Sequence, residues 1–135
     1  MIRPSAAADI FIPEEWTEEQ LMMKQMTLDF VEQRILPKLE EIENQEEGLV
    51  PSLMRESGEL GLLGSSVPEE YGGMGLDFKT TMLITEAIGG AHAFSVSFSA
   101  HTGIGTLPIL YYGNEEQKKK WMPGLASGEL KGCYC

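Results

Sequence analysis

Two capping boxes, one near each end of the chain, favour helices across most of this sequence. In the first, Thr17 can accept a hydrogen bond from the backbone of Gln20, and the Gln20 side chain can accept one in return. Asn114 and Gln117 repeat this spacing, and Asp77 is a further candidate cap. Apolar residues after Thr17 recur at the spacings of one helix face: Leu21, Leu28, Val31, Ile35, Leu39 and Ile42.

Proline and glycine residues divide the chain into about five predicted helices. Pro37 cannot donate to the carbonyl of Gln33, so the long first helix must kink or break there. Gly89-Gly90 is expected to end the third helix, and Pro123-Gly124 the fifth. The predicted helices run from Thr17 through Ile42, from Pro51 to about Leu63, from Asp77 to Ile88, from about Ser95 to Tyr112, and from Asn114 to Met122.

The last residues differ in character from the helices. After a Ser127-Gly128 turn, residues 130–135 read as an extended segment that has no strand to pair with in the chain. The polypeptide therefore looks cut at a domain boundary. We expect an N-terminal strap at residues 1–15, a helical domain at 16–129, and the first residues of a missing β domain at 130–135. The expected fold is all-α, a helical bundle that ends at the start of a β-strand.

Composition excludes several classes of partner. A formal net charge of −11 argues against nucleic acid and anionic membranes. No apolar run approaches the ~20 residues that a membrane-spanning helix needs, and Met1 to Pro13 lacks the apolar stretch of a signal peptide. Two cysteines near the end of the chain do not form a disulfide framework, so we expect a cytoplasmic protein.

Three further patterns invite a functional interpretation that the residues support poorly. Gly72 to Gly75 resembles a phosphate loop, but Lys79 lies four residues beyond Gly75 and the Gly-Lys-Ser/Thr ending is absent, which favours a tight turn. His92 and His101 lack neighbours at metal-ligand spacing, so no metal site is expected. Glu86, on an apolar helix, is either a general base of raised pKa or a solvated or ion-paired residue, and we favour the latter.

The predicted fourth helix carries unusually small side chains between Ser95 and Gly105. Glycines inside a helix cost about 1 kcal/mol each relative to alanine, so something should compensate for them. One interpretation is close packing against a neighbouring helix, and the other is a groove that admits a ligand. His101 on this helix is either a hydrogen-bonded core histidine or a residue that lines a pocket.

Four segments in one order make the chain resemble the acyl-CoA dehydrogenases. The C-terminal part matches the family's Gly-x-x-x-Gln-Lys helix, Gly-Glu turn and aromatic-x-Thr-Glu-Pro strand, although the chain stops before Thr-Glu-Pro. The other matching segments are Pro37 near the end of a long first helix, Pro68 to Gly75, and Ser99-Ala100-His101. The resemblance extends over nearly the whole chain from Trp16.

The resemblance implies an enzyme that uses FAD to oxidise an acyl-CoA to the 2,3-enoyl-CoA. A carboxylate removes the α-proton while the β-hydride passes to the flavin, and the base is a glutamate of the family's C-terminal domain. This chain would supply one wall of the substrate slot and no catalytic residue, so we expect it to be inactive alone. Electron-transfer flavoprotein is the implied electron acceptor, and a homo-oligomeric parent enzyme is implied as well.

The resemblance and the helix spacing together indicate candidate binding residues. Those expected on the acyl side of the fourth helix are Val96, Ser97, Ala100, His101 and Ile104. Tyr134 occupies the place of the family's strand aromatic, so Tyr134 and Cys135 are the expected cofactor-binding residues. The alternative is that Tyr134 is an ordinary strand aromatic that packs on the helical lobe. The resemblance also places Tyr71 near the acyl or CoA end of the slot.

Two other functions remain open from the sequence. The first is a related flavoenzyme on the same scaffold, such as an acyl-CoA oxidase or a nitroalkane oxidase. The second is a non-catalytic helical module that binds a partner helix. The residues that follow Cys135 in the reading frame would distinguish the enzymes from the module.

Overall fold

A computed structural model describes residues 15–134, and in this range every regular element is a helix. The α-helices are α1 (Glu18–Phe30), α2 (Leu39–Glu43), α3 (Leu49–Glu59), α4 (Phe78–Ile88), α5 (Ala93–Ala100), α6 (Leu107–Tyr112) and α7 (Glu115–Ala126). A π-helical turn at Val31–Ile35 and a 3-10 turn at Leu36–Lys38 connect α1 to α2, and a π-helical turn at His101–Gly105 connects α5 to α6.

These connections make two of the predicted helices long and irregular. Residues 18–43 form the first helical segment, and residues 93–112 form the fourth helical segment. With α3, α4 and α7 they account for the five helices predicted, which confirms the all-α bundle. The interruption expected at Pro37 is confirmed, because Pro37 lies in the 3-10 turn. The adjoining π-helical turn has no signal in the sequence pattern.

The predicted caps are present and explain where the helices begin. Gln20 N–H donates to Thr17 Oγ1 over 3.2 Å, and Thr17 N–H donates to Gln20 Oε1 over 3.1 Å. The same reciprocal pair joins Asn114 and Gln117, with both distances 2.9 Å. Each box satisfies two backbone donors that a helix start otherwise leaves unpaired.

The cap at Asp77 also links two helices. Thr80 N–H donates to Asp77 Oδ1 over 2.9 Å, and this bond is the largest cause of the lowered pKa of the Asp77 carboxyl. The Thr80 hydroxyl accepts from Gln20 Nε2 over 3.0 Å. The beginnings of α1 and α4 are therefore tied together by side chains that also cap them.

The core is built around the fourth helical segment. Phe94 and Phe98 are 0% and 2% exposed, and the Phe94 ring meets Phe30 edge to face at 6.0 Å between centroids. Around them pack apolar side chains of the first helical segment, α3, α4 and the loops: Val31, Ile35, Ile42, Leu53, Met54, Leu62, Leu63, Ile84, Ile88 and Ala91. A second cluster joins α7 to the 3-10 turn at Glu69–Tyr71.

The fifth helix is longer than predicted. Pro123 was expected to end it, but α7 continues through Pro123 to Ala126, so that prediction is wrong. Leu125 and Ala126 are buried in the second cluster, and Ser127 N–H still reaches the Pro123 carbonyl over 3.0 Å. Burial of this last turn offsets the one backbone donor that proline lacks.

The two ends of the chain are described only in part. Residues 131–134 form neither a helix nor a paired strand within the described range, so the strand expected from Leu130 stays a prediction. The proposed strap at residues 1–15 lies outside the described residues except for Glu15, and Cys135 lies outside them as well. In the part of the chain that is described, no helix has the length and apolar character to cross a membrane.

Two glycines in helical conformation test how closely the helices pack. A Cβ on Gly58 of α3 would collide with the backbone carbonyl of Ser127, whereas a Cβ on Gly89 would meet nothing within 4 Å. We expect Gly58→Ala to lower the free energy of unfolding by about 1–3 kcal/mol through overpacking. Gly89→Ala is the matched control and should be neutral or stabilise by up to about 1 kcal/mol. Urea denaturation measures both, and equal effects would contradict the packing.

Candidate functional site

A cavity of about 340 Å³ lies between the fourth helical segment, the start of α3 and the residues that follow α7. Its volume falls in the range of small-ligand sites, and most of its lining atoms are apolar. The residues that line it are Val50, Pro51 and Met54 from the α3 region, Val96, Ser97, Ala100 and His101 from the fourth helical segment, and Lys131, Gly132 and Cys133. We call residues 131–133 the terminal segment.

Four of the five residues predicted on the acyl side of the fourth helix line this cavity. Ser97 and Ala100 are half-buried, and their side chains are short. His101 is buried, whereas Val96 is 70% exposed. Ile104 is 55% exposed and does not line the cavity. Helix spacing and the resemblance thus predicted four residues that share one cavity, and Ile104 is not part of its lining.

His101 holds together three parts of the site. Its Nε2 lies 2.9 Å from the carbonyl oxygen of Leu125 in α7, and its Nδ1 accepts a hydrogen bond of 3.0 Å from Gly132 N–H. The side chain is buried, and burial is the main reason that the pKa of the His101 imidazole lies below its usual range, with Lys131 lowering it further. Both interpretations of His101 from the sequence apply, since it is hydrogen-bonded in the interior and also lines the cavity.

The π-helical turn that starts at His101 has local causes. Pro108 cannot donate to the carbonyl of Ile104, so one regular helical hydrogen bond is missing directly after this turn. The hydroxyl of Thr106 donates to the His101 carbonyl over 2.7 Å, a side-chain hydrogen bond that spans the turn. Turns of this kind occur often at functional sites because they re-aim side chains.

Two glycines bring the terminal segment against this turn. A Cβ on Gly105 would stand 2.6 Å from the Gly132 carbonyl carbon, and a Cβ on Gly132 would stand 2.9 Å from the Gly105 Cα. Backbone therefore packs directly on backbone, which leads the chain past the cavity to Tyr134. The Tyr134 side chain is 79% exposed.

The α3 residues and the terminal segment are the part of the site that sequence reasoning missed. Pro51 suggested only a helix start, and Val50 and Met54 read as ordinary apolar positions. Nothing in their local spacing shows that α3 begins opposite residue 100. Lys131 is a further addition, since it places a cation beside the cavity in a chain whose net charge is −11.

The glycine-rich loop is a turn, as predicted. Gly72 and Gly75 have positive φ values of 85° and 59°. The four successive N–H groups of residues 73–76 donate to carbonyls of residues 64–68, which leaves none of the four to cradle a phosphate.

Tyr71 is buried away from the cavity, and its hydroxyl donates to Glu115 Oε2 over 2.8 Å, which raises the pKa of Tyr71 to about 12.

The remaining candidates are surface residues. Glu86 forms an ion pair with Lys24 at 3.5 Å, and its side chain is largely exposed, which confirms the interpretation as an ion-paired residue. Among residues 15–134, no three His, Cys, Asp or Glu side chains are grouped so that they could hold a metal ion.

The domain is a five-helix lobe with an apolar slot along one helix, and comparisons with known proteins give its family. The sequence profile described as "Acyl-CoA dehydrogenase, N-terminal domain" matches residues 17–129. The chain belongs to the acyl-CoA dehydrogenase family, as the resemblance predicted, and corresponds to the family's N-terminal domain.

Individual relatives agree with this assignment. A probable acyl-CoA dehydrogenase of Bacillus subtilis is 50% identical over 93% of this chain and 21% of its own length. The crystal structure of an acyl-CoA dehydrogenase complexed with FAD from Bacillus anthracis superposes with a TM-score of 0.90 and 48% identity, over 91% of this chain and 22% of that one.

A third similar chain belongs to a structure described as the electron transferring flavoprotein of Acidaminococcus fermentans. It has a TM-score of 0.74 and 33% identity, over 87% of this chain and 31% of that one. The chain therefore spans about a fifth to a third of the length of these relatives.

The burial of His101 predicts how stability depends on pH. The folded form keeps the ring neutral, whereas the unfolded chain binds a proton at the ordinary pKa of 6.5. The contribution of His101 to the free energy of unfolding is therefore full above pH 6.5 and is lost as pH falls from there through the lowered folded-state pKa. His101→Gln should remove this contribution. The urea midpoint of each protein at about pH 8 and about pH 5 measures this contribution. An equal drop in midpoint between the two pH values for the wild type and His101→Gln would contradict the prediction.

Proposed function

We propose that this chain is the helical wall of the substrate slot in an FAD-dependent acyl-CoA dehydrogenase, which oxidises acyl-CoA to 2,3-enoyl-CoA. The observation that carries the proposal is the cavity of about 340 Å³ in which Val96, Ser97, Ala100 and His101 meet. Helix spacing and family resemblance predicted those residues on the acyl side. The family membership favours the enzyme over a non-catalytic interaction module.

The side chains around the cavity suit an acyl chain. One side of the cavity is lined by the apolar side chains of Val50, Pro51 and Met54. The other side carries the short side chains of Ser97 and Ala100, which leave room between the helices. Burial of each methylene contributes about 0.8 kcal/mol, which makes affinity depend on how many methylenes the slot accepts. No carboxylate lines the cavity in the described part of the chain, in keeping with a base that comes from another domain.

Tyr134 and the chain around it fit the edge of a flavin. Tyr134 lies in a stretch outside any helix, and its ring is 79% exposed, so its face and hydroxyl are accessible to a planar ring system. When bound, FAD accepts the hydride that leaves the acyl β-carbon. The role of this chain is to fix the terminal segment beside the slot, exclude water from it and present Tyr134, with Cys135 next in sequence.

The proposal includes the partners and setting of the whole enzyme. Electrons pass to electron-transfer flavoprotein, and the similarity to a chain described under that name supports this acceptor. Reduction of electron-transfer flavoprotein, compared with oxygen consumption, separates this enzyme from an acyl-CoA or nitroalkane oxidase. A homo-oligomeric parent follows from the family resemblance. The cytoplasmic setting follows from a cysteine content unlike that of secreted, disulfide-rich domains.

Enlarging the small wall of the slot should shorten the acyl chains accepted. In the full-length enzyme, Ala100→Phe places a ring in the cavity and should lower kcat/KM for long acyl-CoA by at least about tenfold relative to short acyl-CoA. Ala93→Phe, at an exposed position of the same helical segment, is the matched control. An equal loss for all chain lengths would assign Ala100 to helix packing alone.

Removing the exposed aromatic should weaken the cofactor site. Tyr134→Ala in the full-length enzyme is expected to raise the dissociation constant of FAD about tenfold, or to shift the flavin's visible absorption, because the ring loses a contact face. Tyr112, which is 87% exposed, gives the control Tyr112→Ala. Unchanged flavin content and spectrum in the Tyr134 variant would remove Tyr134 from the site.

Residues 1–135 alone should show no turnover with acyl-CoA and added FAD. A general base contributes about 10²–10⁴-fold, and the lining of the cavity holds no carboxylate to provide one. Reduction of an electron-accepting dye is the assay, with the full-length enzyme as the positive control. Substrate-dependent dye reduction by residues 1–135 would overturn this prediction.

A further inference from the structure

The hydrogen bonds of His101 determine which ring nitrogen carries the proton. Gly132 N–H donates to Nδ1 over 3.0 Å, so Nδ1 must present its lone pair. The proton of the neutral ring is then on Nε2, which donates to the Leu125 carbonyl over 2.9 Å. Only this form of the neutral ring satisfies both partners, because the Gly132 N–H can only donate a hydrogen bond and the Leu125 carbonyl can only accept one.

A protonated ring would break this arrangement. With hydrogens on both nitrogens, Nδ1–H would face Gly132 N–H and the terminal segment would lose its acceptor. The Leu125 carbonyl of α7 favours the cation, but burial of the ring and the Lys131 ammonium of the terminal segment oppose it. The terminal segment also brings the Cys133 thiol, and the α3 residues that line the cavity, Val50, Pro51 and Met54, carry no titratable group.

At Gly132 the terminal segment has no side chain of its own. Gly105 and Gly132 meet backbone to backbone. The hydrogen bond from Gly132 N–H to His101 is a directional contact that sets where residue 132 lies on the fourth helical segment. Tyr134 follows two residues later.

We propose that His101, in its neutral form, is a positioning residue that fixes the terminal segment on the fourth helical segment and so places the residues proposed to contact the flavin. Protonation of the ring releases the segment and weakens the hold on the cofactor. The cofactor part of this inference rests on the proposed function, whereas the docking of residues 131–133 does not. His101 itself transfers no proton to or from the substrate.

Two substitutions separate the two ring nitrogens. His101→Asn keeps an acceptor near the position of Nδ1, so it can still receive Gly132 N–H. His101→Gln keeps a donor near the position of Nε2, so it can still reach the Leu125 carbonyl but leaves Gly132 N–H without its acceptor. Neither side chain titrates. The wild type and both variants are compared in the full-length enzyme by hydrogen–deuterium exchange of the peptide that contains residues 130–134, and by the dissociation constant of FAD.

We expect about fivefold faster exchange in His101→Gln than in His101→Asn at neutral pH, with a rise of similar size in the dissociation constant of FAD. On acidification the wild type should change from the behaviour of the Asn variant to that of the Gln variant. Neither variant should change beyond the intrinsic pH dependence of exchange. This pattern separates positioning from a general loss of stability, which would not depend on which nitrogen is replaced.

Two results would overturn the inference. One is equal protection of the 130–134 peptide in the wild type and both variants, which would show that His101 does not hold the segment. The other is loss of protection without any change in FAD affinity, which would show that the segment does not place the cofactor contacts. If the wild-type enzyme binds no FAD at any pH, the proposed function fails, and the exchange data still decide whether His101 docks the segment.

Discussion

The fourth helical segment buries one face in the core while other residues of the segment line the cavity. Phe94 and Phe98 fill the interior and fix the position and rotation of the helix. Once these two rings are buried, Ser97 and Ala100 necessarily face the start of α3. Their short side chains leave a gap that larger residues would close. The cavity is thus a consequence of how the core orients this one segment.

The π-helical turn after Ala100 determines where the terminal segment packs on the fourth helical segment. Residues 101–105 form a π-helical turn just before Pro108, which lacks the backbone donor of a regular helix, and Gly105 at the end of this turn packs against Gly132. His101 stands at the start of this turn and connects α7, the fourth helical segment and the terminal segment through two hydrogen bonds. His101 therefore both lines the cavity and holds the terminal segment that leads to Tyr134, the proposed flavin contact.

The local part of this structure could be predicted from the sequence. Thr17, Asp77 and Asn114 cap the helices they were expected to cap, because a cap depends on residues three positions apart. The tight turn at Gly72 to Gly75 followed from backbone requirements that are equally local. Spacing on one helix, together with the family resemblance, also identified most of the fourth segment's contribution to the cavity.

What could not be predicted depends on contacts between distant residues. The continuation of α7 through Pro123 depends on burial of Leu125 and Ala126 in a cluster with Val67 and Tyr71. The α3 wall and the bond between His101 and Gly132 join residues that lie tens of positions apart, so no short-range pattern records them. Ile104 shows the converse, since it has the right spacing but does not line the cavity.

A crystal structure of the full-length enzyme with a bound, non-reactive acyl-CoA analogue tests the central claim most directly. The account predicts that the acyl chain lies in van der Waals contact with Ser97 and Ala100 on one side and with Val50 or Met54 on the other. It also predicts that His101 keeps its bond to Gly132 in that complex. An acyl chain bound elsewhere, with the space between α3 and the fourth helical segment closed or filled by protein side chains, would contradict the account.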